Sequence, residues 1–245
     1  VNIEPAFPAS RRFPVVAATL ALALAGAAGA AFASGSGPSP MPSGATGGTS
    51  MTQTGPSMTP EQQAAQRYNH GLKLQEKGDQ AEKQAAAAGD EKKRAKGLEA
   101  AEKSWDKARQ DYETAVSLDP KHYQAHGALG YVLRKQGNFD ASLASYARAL
   151  QIKPGFTPAI EYRAEAYLGL NRIEEAKADY ITLFATDRPN ADTLAAAMTK
   201  WVADRKKDPK GVDPAAIEDL TKWLESRQEI AAKTSALLPP KDARW

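Results

Sequence analysis

The chain has no cysteine. Disulfides, thiolate nucleophiles, cysteine-ligated zinc and iron–sulfur clusters are all excluded with it. Histidine is nearly as scarce, at three residues in 245. Charge of one sign is lacking too. The 32 basic and 29 acidic residues leave a net +3, a mixed surface without the one-sided basic footprint of a nucleic-acid binder. No glycine-rich phosphate loop occurs, and no alternating strand pattern that could carry one. Gly35-Ser36-Gly37 is low complexity and lacks the strand–turn–helix setting of a nucleophile elbow.

What is present begins with Arg11-Arg12, followed by an apolar run over residues 15–33 that ends Ala31-Phe32-Ala33 before Ser34. Basic flank, apolar core and small-x-small end are the parts of a secretory signal, with cleavage expected after Ala33. An uncleaved anchor is the other reading, since the run is about long enough to span a bilayer. Both place residues 34–245 outside the cytoplasm, periplasmic or secreted. No cysteine follows the run, which excludes a lipoprotein anchor, and no other membrane contact is expected. Residues 34–60 are Gly, Ser, Pro, Thr and Met without a charge, the composition of a flexible tether.

The chain is organised around residues 123–154. They read as two short amphipathic helices. Leu129, Gly130 and Leu133 mark one face of the first, and Ser142, Tyr146, Ala149 and Leu150 one face of the second. Gly137-Asn138 makes the turn, both residues tolerating the left-handed conformation that ends a helix, and Pro154 stops the second helix. The unit recurs. Tyr112, Tyr146 and Tyr180 are 34 residues apart, as are Trp105, Phe139 and Ile173, then Ala108, Ser142 and Ala176, and Ala115, Ala149 and Leu183. Pro120 and Pro154 close two successive units. A helix–turn–helix repeat of this period resembles the tetratricopeptide family. Leu129-Gly130, Gly137, Phe139, Tyr146, Ala149 and Pro154 carry the resemblance. Leu133 replaces the family's usual aromatic, His126 its usual Trp and Ser142 its usual Ala. The resemblance implies an all-α solenoid of stacked helical hairpins, and a scaffold rather than a catalyst.

A further first helix is visible in residues 67–79, with His70-Gly71 and Leu74 ahead of Gly78-Asp79. Its aromatic landmark Trp105 follows Gly78 by 27 residues, whereas Phe139 follows Gly137 by two. The intervening residues are nearly all strong helix formers, broken only at Gly89-Asp90. Two over-long helices are expected, roughly 60–88 and 91–117, whose extra length of about 11 residues projects roughly 16 Å beyond the stack as a hairpin that buries little of its core. The expected plan is an export signal at 1–33, a linker at 34–60 and repeats at 61–189. The repeats divide as 61–120 with a helical insertion at 79–104, then 121–156 and 157–189. Asn171 stands at the inter-helix Gly position of the third, which Pro189 closes. Capping helices follow at 190–236, the first at 191–205 and the second opened by Asp213-Pro214, then a loose tail at 237–245.

His122 and His126 have a metal-ligand spacing, yet no third ligand accompanies them, so packing is the reading of both, and His70 is likewise read as structural. No metal or cofactor is expected. The run Glu91-Lys92-Lys93-Arg94-Ala95-Lys96 is a solvated helix face, or a contact to an anionic partner. The resemblance implies one kind of site, a concave groove lined by first helices that holds a partner protein or peptide. By register its lining is Tyr68, Asn69, Tyr131, Arg134, Glu161, Tyr162 and Glu165. Some relatives clamp a partner's C-terminal carboxylate with Lys, Arg and Asn in this groove. The matching positions here carry Tyr68, Leu72, Ala128, Pro158 and Tyr162, so that clamp is missing. The expected function is a non-catalytic adaptor of the cell envelope or a secretion pathway. The alternatives are a small-ligand carrier or enzyme with a site between solenoid and C-terminal helices, and a purely structural, self-assembling component. No nucleic-acid partner is expected.

Overall fold

A computed structural model describes residues 58–237. The expected signal, most of the linker and the tail lie outside these residues. Among them the fold is eight helices and no strand: α1 Pro60–Ala87, α2 Glu91–Leu118, α3 Tyr123–Lys135, α4 Phe139–Ile152, α5 Thr157–Gly169, α6 Ile173–Thr186, α7 Arg188–Lys207 and α8 Pro214–Leu237. Pro60, which the composition assigns to the linker, is the first residue of α1. Thr59 caps it with its hydroxyl on the Gln62 N–H, and Gln62 returns the bond, a capping box that satisfies two otherwise orphaned donors. Asp90 caps α2 by accepting a single bond from Lys93 N–H at 2.8 Å.

The repeats follow from local rules. Gly137 adopts φ +75°, and the N–H groups of Gly137 and Asn138 close back on Arg134 and Leu133, which ends α3 in a left-handed cap. Asn171 does the same for α5 at φ +59°, with Asn171 and Arg172 bonded back to Leu168 and Tyr167. Within a hairpin, tyrosine lies flat against glycine. A Cβ at Gly130 would stand 2.5 Å from Tyr146, and one at Gly71 would stand 2.6 Å from Tyr112. Tyr112 and Tyr146 are completely buried, and Tyr180 nearly so.

Each hairpin packs on the next. The first helices α1, α3, α5 and α7 also touch one another in succession, while α2, α4 and α6 make no comparable contact among themselves. The stack is therefore tighter on the first-helix side, which is its inner face.

Three expectations are corrected. Pro189 does not close the third repeat. It sits in the first turn of α7, where its missing N–H is no loss, and Asp187 both ends α6 and caps α7 through Asn190 N. The helix expected at 191–205 accordingly runs from Arg188 to Lys207 and packs on α5 and α6, as a further first helix would. Nor does the whole insertion stand clear of the core. Ala101 is fully buried, Glu82 forms an ion pair with Lys135 of α3, and Gln136 Nε2 donates to Glu102 and Asp106. Only the outer half of the hairpin projects.

Candidate functional site

The first helices bring a polar cluster to the inner side of the stack. Tyr131 and Arg134 lie one turn apart on α3, and Glu161 and Glu165 one turn apart on α5 with Tyr162 between them. Facing positions meet. Arg134 Nη1 is 2.6 Å from Glu165 Oε2. The rings of Tyr131 and Tyr162 meet edge to face at 5.1 Å, and the Arg134 guanidinium lies over both at 5.3 and 5.4 Å. All five side chains are buried, Arg134 at 9% and Glu165 at 7% exposure.

The expected lining of seven is thus not a row of side chains offered to solvent. Tyr131, Arg134, Glu161, Tyr162 and Glu165 are brought together and are engaged inside the protein, because opposite charges and edge-on rings on neighbouring helices satisfy one another. Tyr68 stands apart from them. It is completely buried, with ring centroids 6.0 Å from Tyr112 and 4.9 Å from His122. Asn69, beside it on α1, is partly buried.

A second polar group adjoins the first. Trp105 Nε1 donates to Asp79 Oδ1 at 2.9 Å, and the Tyr131 hydroxyl also bonds Asp79. Lys135 pairs with Glu82 and lies 5.0 Å from the centre of the Trp105 ring. Sequence reasoning missed Asp79, Glu82 and Lys135. The long insertion hides the register that relates α1 to α3, so no spacing pointed to them.

The electrostatics follow from burial. Burial pushes the Asp79 carboxyl up, against the pull of Lys135 and of the bonds from Trp105 and Tyr131. It also drives the Tyr131 and Tyr162 hydroxyls far above the usual phenol range, helped by Asp79 for the first and by Glu161 and Glu165 for the second. Burial works against the Arg134 charge as well, but Glu165 and the surrounding tyrosines outweigh it and hold the guanidinium ionised. Four carboxylates, Asp79, Glu82, Glu161 and Glu165, share this region with two cations, Lys135 and Arg134. This cluster is net acidic and aromatic.

The histidines serve local structure. His122 Nδ1 accepts from Ala125 N at 3.3 Å at the start of α3, and burial lowers its pKa. His126 Nε2 donates to the Pro120 carbonyl at 3.1 Å. His70 is exposed and bonds Asp111 at 2.5 Å across the α1–α2 hairpin, with Arg67 on the same carboxylate. Among the described residues no group of three or more potential ligands could hold a metal ion, and no helix is long and apolar enough to cross a membrane.

Two family models, each of the tetratricopeptide repeat, match the chain, one over residues 92–155 and the other over residues 133–200. No curated protein matches it.

Proposed function

Because this chain belongs to the tetratricopeptide-repeat family, whose repeats bind other proteins, we propose that it is a scaffold without catalysis of its own that holds a basic segment of a partner protein along the inner row α1–α3–α5–α7. The observation that carries this reading is the buried cluster of Arg134, Glu165, Glu161, Tyr131 and Tyr162. A buried ion pair adds little net stability over an apolar pair of the same volume. Most of the buried core is apolar or aromatic, such as Val132, Tyr146, Ala159 and Ala166. In the free protein these side chains are closed on one another, so a partner would engage them by exchanging its own cations for the internal contacts, and aromatic rings around a guanidinium are the composition of binding hot spots. The surplus of carboxylates selects cationic partner side chains.

The partner would be recovered by pull-down from envelope extract with mass spectrometry, and its segment titrated by calorimetry. Glu161→Gln removes a charge without opening a cavity, and Tyr162→Phe removes a hydroxyl. Each is expected to weaken binding by about 1–3 kcal/mol, and binding by wild type to fall as salt rises. Wild-type affinity in both variants would sink the groove reading. Arg11-Arg12, the apolar run and Ala31-Phe32-Ala33 support export of the protein to the periplasm or beyond. Sequencing the mature N-terminus from the native host is expected to give Ser34, and full-length protein kept in the cytoplasm would refute it.

A further inference from the structure

The outer half of the α1–α2 hairpin carries a second surface. Its two arms pack through small residues. A Cβ at Gly97 would come within 2.8 Å of Ala85 Cβ, and Ala85 and Ala101 are buried. The root is braced on α3 by the Glu82–Lys135 pair and by the Gln136 bonds. The hairpin is therefore a rigid arm fixed to the solenoid.

Its exposed face is basic. Lys92, Lys96, Lys103 and Lys107 recur at steps of three or four residues along α2, with Glu99 between, so they form one stripe of about 22 Å. Lys83, Lys93 and Arg94 flank its outer end, and all seven are exposed. Some surface cations elsewhere are answered one turn away, as in Arg172–Glu175, Lys177–Glu174, Arg188–Asp192, Lys200–Asp204 and Lys233–Glu229, while others such as Lys121, Lys153 and Lys222 stand singly and not in a stripe. On the arm, Lys103 is answered by Glu99, but Lys83, Lys92, Lys93, Arg94, Lys96 and Lys107 have no ion pair among the described residues.

We propose that this arm is a docking surface for an acidic helix of a partner protein, distinct from the inner row and independent of the reading given for it. The stripe is a straight line of charge at helical spacing, which an adjacent helix with Glu or Asp at every fourth position matches along its length. A flat bilayer would meet only the tip, and residues 83–96 hold no apolar side chain larger than Ala to insert there. Recognition by charge alone is strongly salt-dependent.

The test uses the full chain and a synthetic Ala-based helical peptide with Glu at i and i+4, followed by fluorescence anisotropy at low and physiological salt. Lys92→Glu/Lys96→Glu/Lys107→Glu is compared with Lys121→Glu/Lys153→Glu/Lys222→Glu, which changes net charge equally off the arm. Thermal melts check that both variants fold. The expected result is about tenfold or greater loss of affinity in the arm variant and a change of less than about threefold in the control. Failure of wild type to bind the peptide, equal loss in both variants, or no loss in the arm variant would overturn the proposal. So would wild type binding phosphatidylglycerol vesicles through the arm in preference to the peptide. Glu161→Gln is expected to leave peptide binding unchanged, which separates this outcome from failure of the inner-row reading.

Discussion

Arg134 and Glu165 form an ion pair in which both partners are buried, so the cost of removing one differs from the cost of removing both. Arg134→Ala or Glu165→Ala leaves an uncompensated charge and is expected to destabilise by about 3–5 kcal/mol. Arg134→Met with Glu165→Leu is expected to be neutral or stabilising. Chemical denaturation of the three variants decides, and a double variant as unstable as the singles would show that the pair holds the stack together. Asp79 gives a pH test. Burial raises its folded pKa above the unfolded value of about 3.9. The folded state then binds the proton more tightly, so stability is greatest below the unfolded pKa and is lost as pH rises through the folded one. Asp79→Asn is expected to gain on wild type as pH rises above about 4, and a difference that stays constant with pH would contradict the assignment. At this scale the sequence was only partly legible. The residue types of the cluster were visible at the right helix positions, but their pairing was not. Tyr131 and Tyr162 were therefore expected to face a partner, and to cost less stability on truncation than Tyr146. Buried against each other, their loss should cost about as much as any large core side chain.

The elements were more legible. Capping residues, the left-handed turns at Gly137 and Asn171, and the break at Gly89-Asp90 set the helix ends locally, and the two over-long helices end within a residue or so of where composition placed them. The long hairpin also shows where element-level reasoning stops. Removing residues 80–104 leaves a two-residue turn's worth of chain, but it deletes Glu82, which pairs with Lys135 of α3, and the buried Ala101. Removing residues 83–96 spares both and leaves Gly97-Leu98-Glu99 to turn the chain, the same length as the native Ala88-Gly89-Asp90 connection. The shorter deletion is expected to keep a cooperative melt with less helical circular dichroism, and the longer one to lower the melting midpoint substantially. Equal midpoints would mean that the root of the insertion contributes nothing to the stack.

Among the described residues the core divides into two clusters, one from Tyr68 to Ala166 and one from Ile160 to Leu224. Helix α5 serves both. Ala159, Tyr162 and Ala166 face the first, Ile160, Ala164 and Leu168 the second, and Leu150 of α4 touches each. A solenoid is a sum of nearest-neighbour interfaces, and a helix shared in this way couples its halves. Native-state hydrogen exchange is therefore expected to give Val132 and Leu194 amides the same opening free energy, and a gap beyond about 1 kcal/mol would show that the halves open separately. Sequence alone determined the repeat period, the all-α class, the repeat family and most helix boundaries, the start of α7 excepted, because these rest on caps, turn conformations and side-chain sizes that act within a turn or recur at fixed spacing. Tertiary structure decided that Glu165 takes Arg134, that Glu82 reaches Lys135 across 53 residues, that Asp79 sits between Trp105 and Tyr131, and that α7 continues the inner row. Those pairings depend on how far each helix is rotated and how closely it approaches its neighbour. A period of 34 residues leaves both open, and the packing of tyrosine on glycine and alanine between the helices settles them.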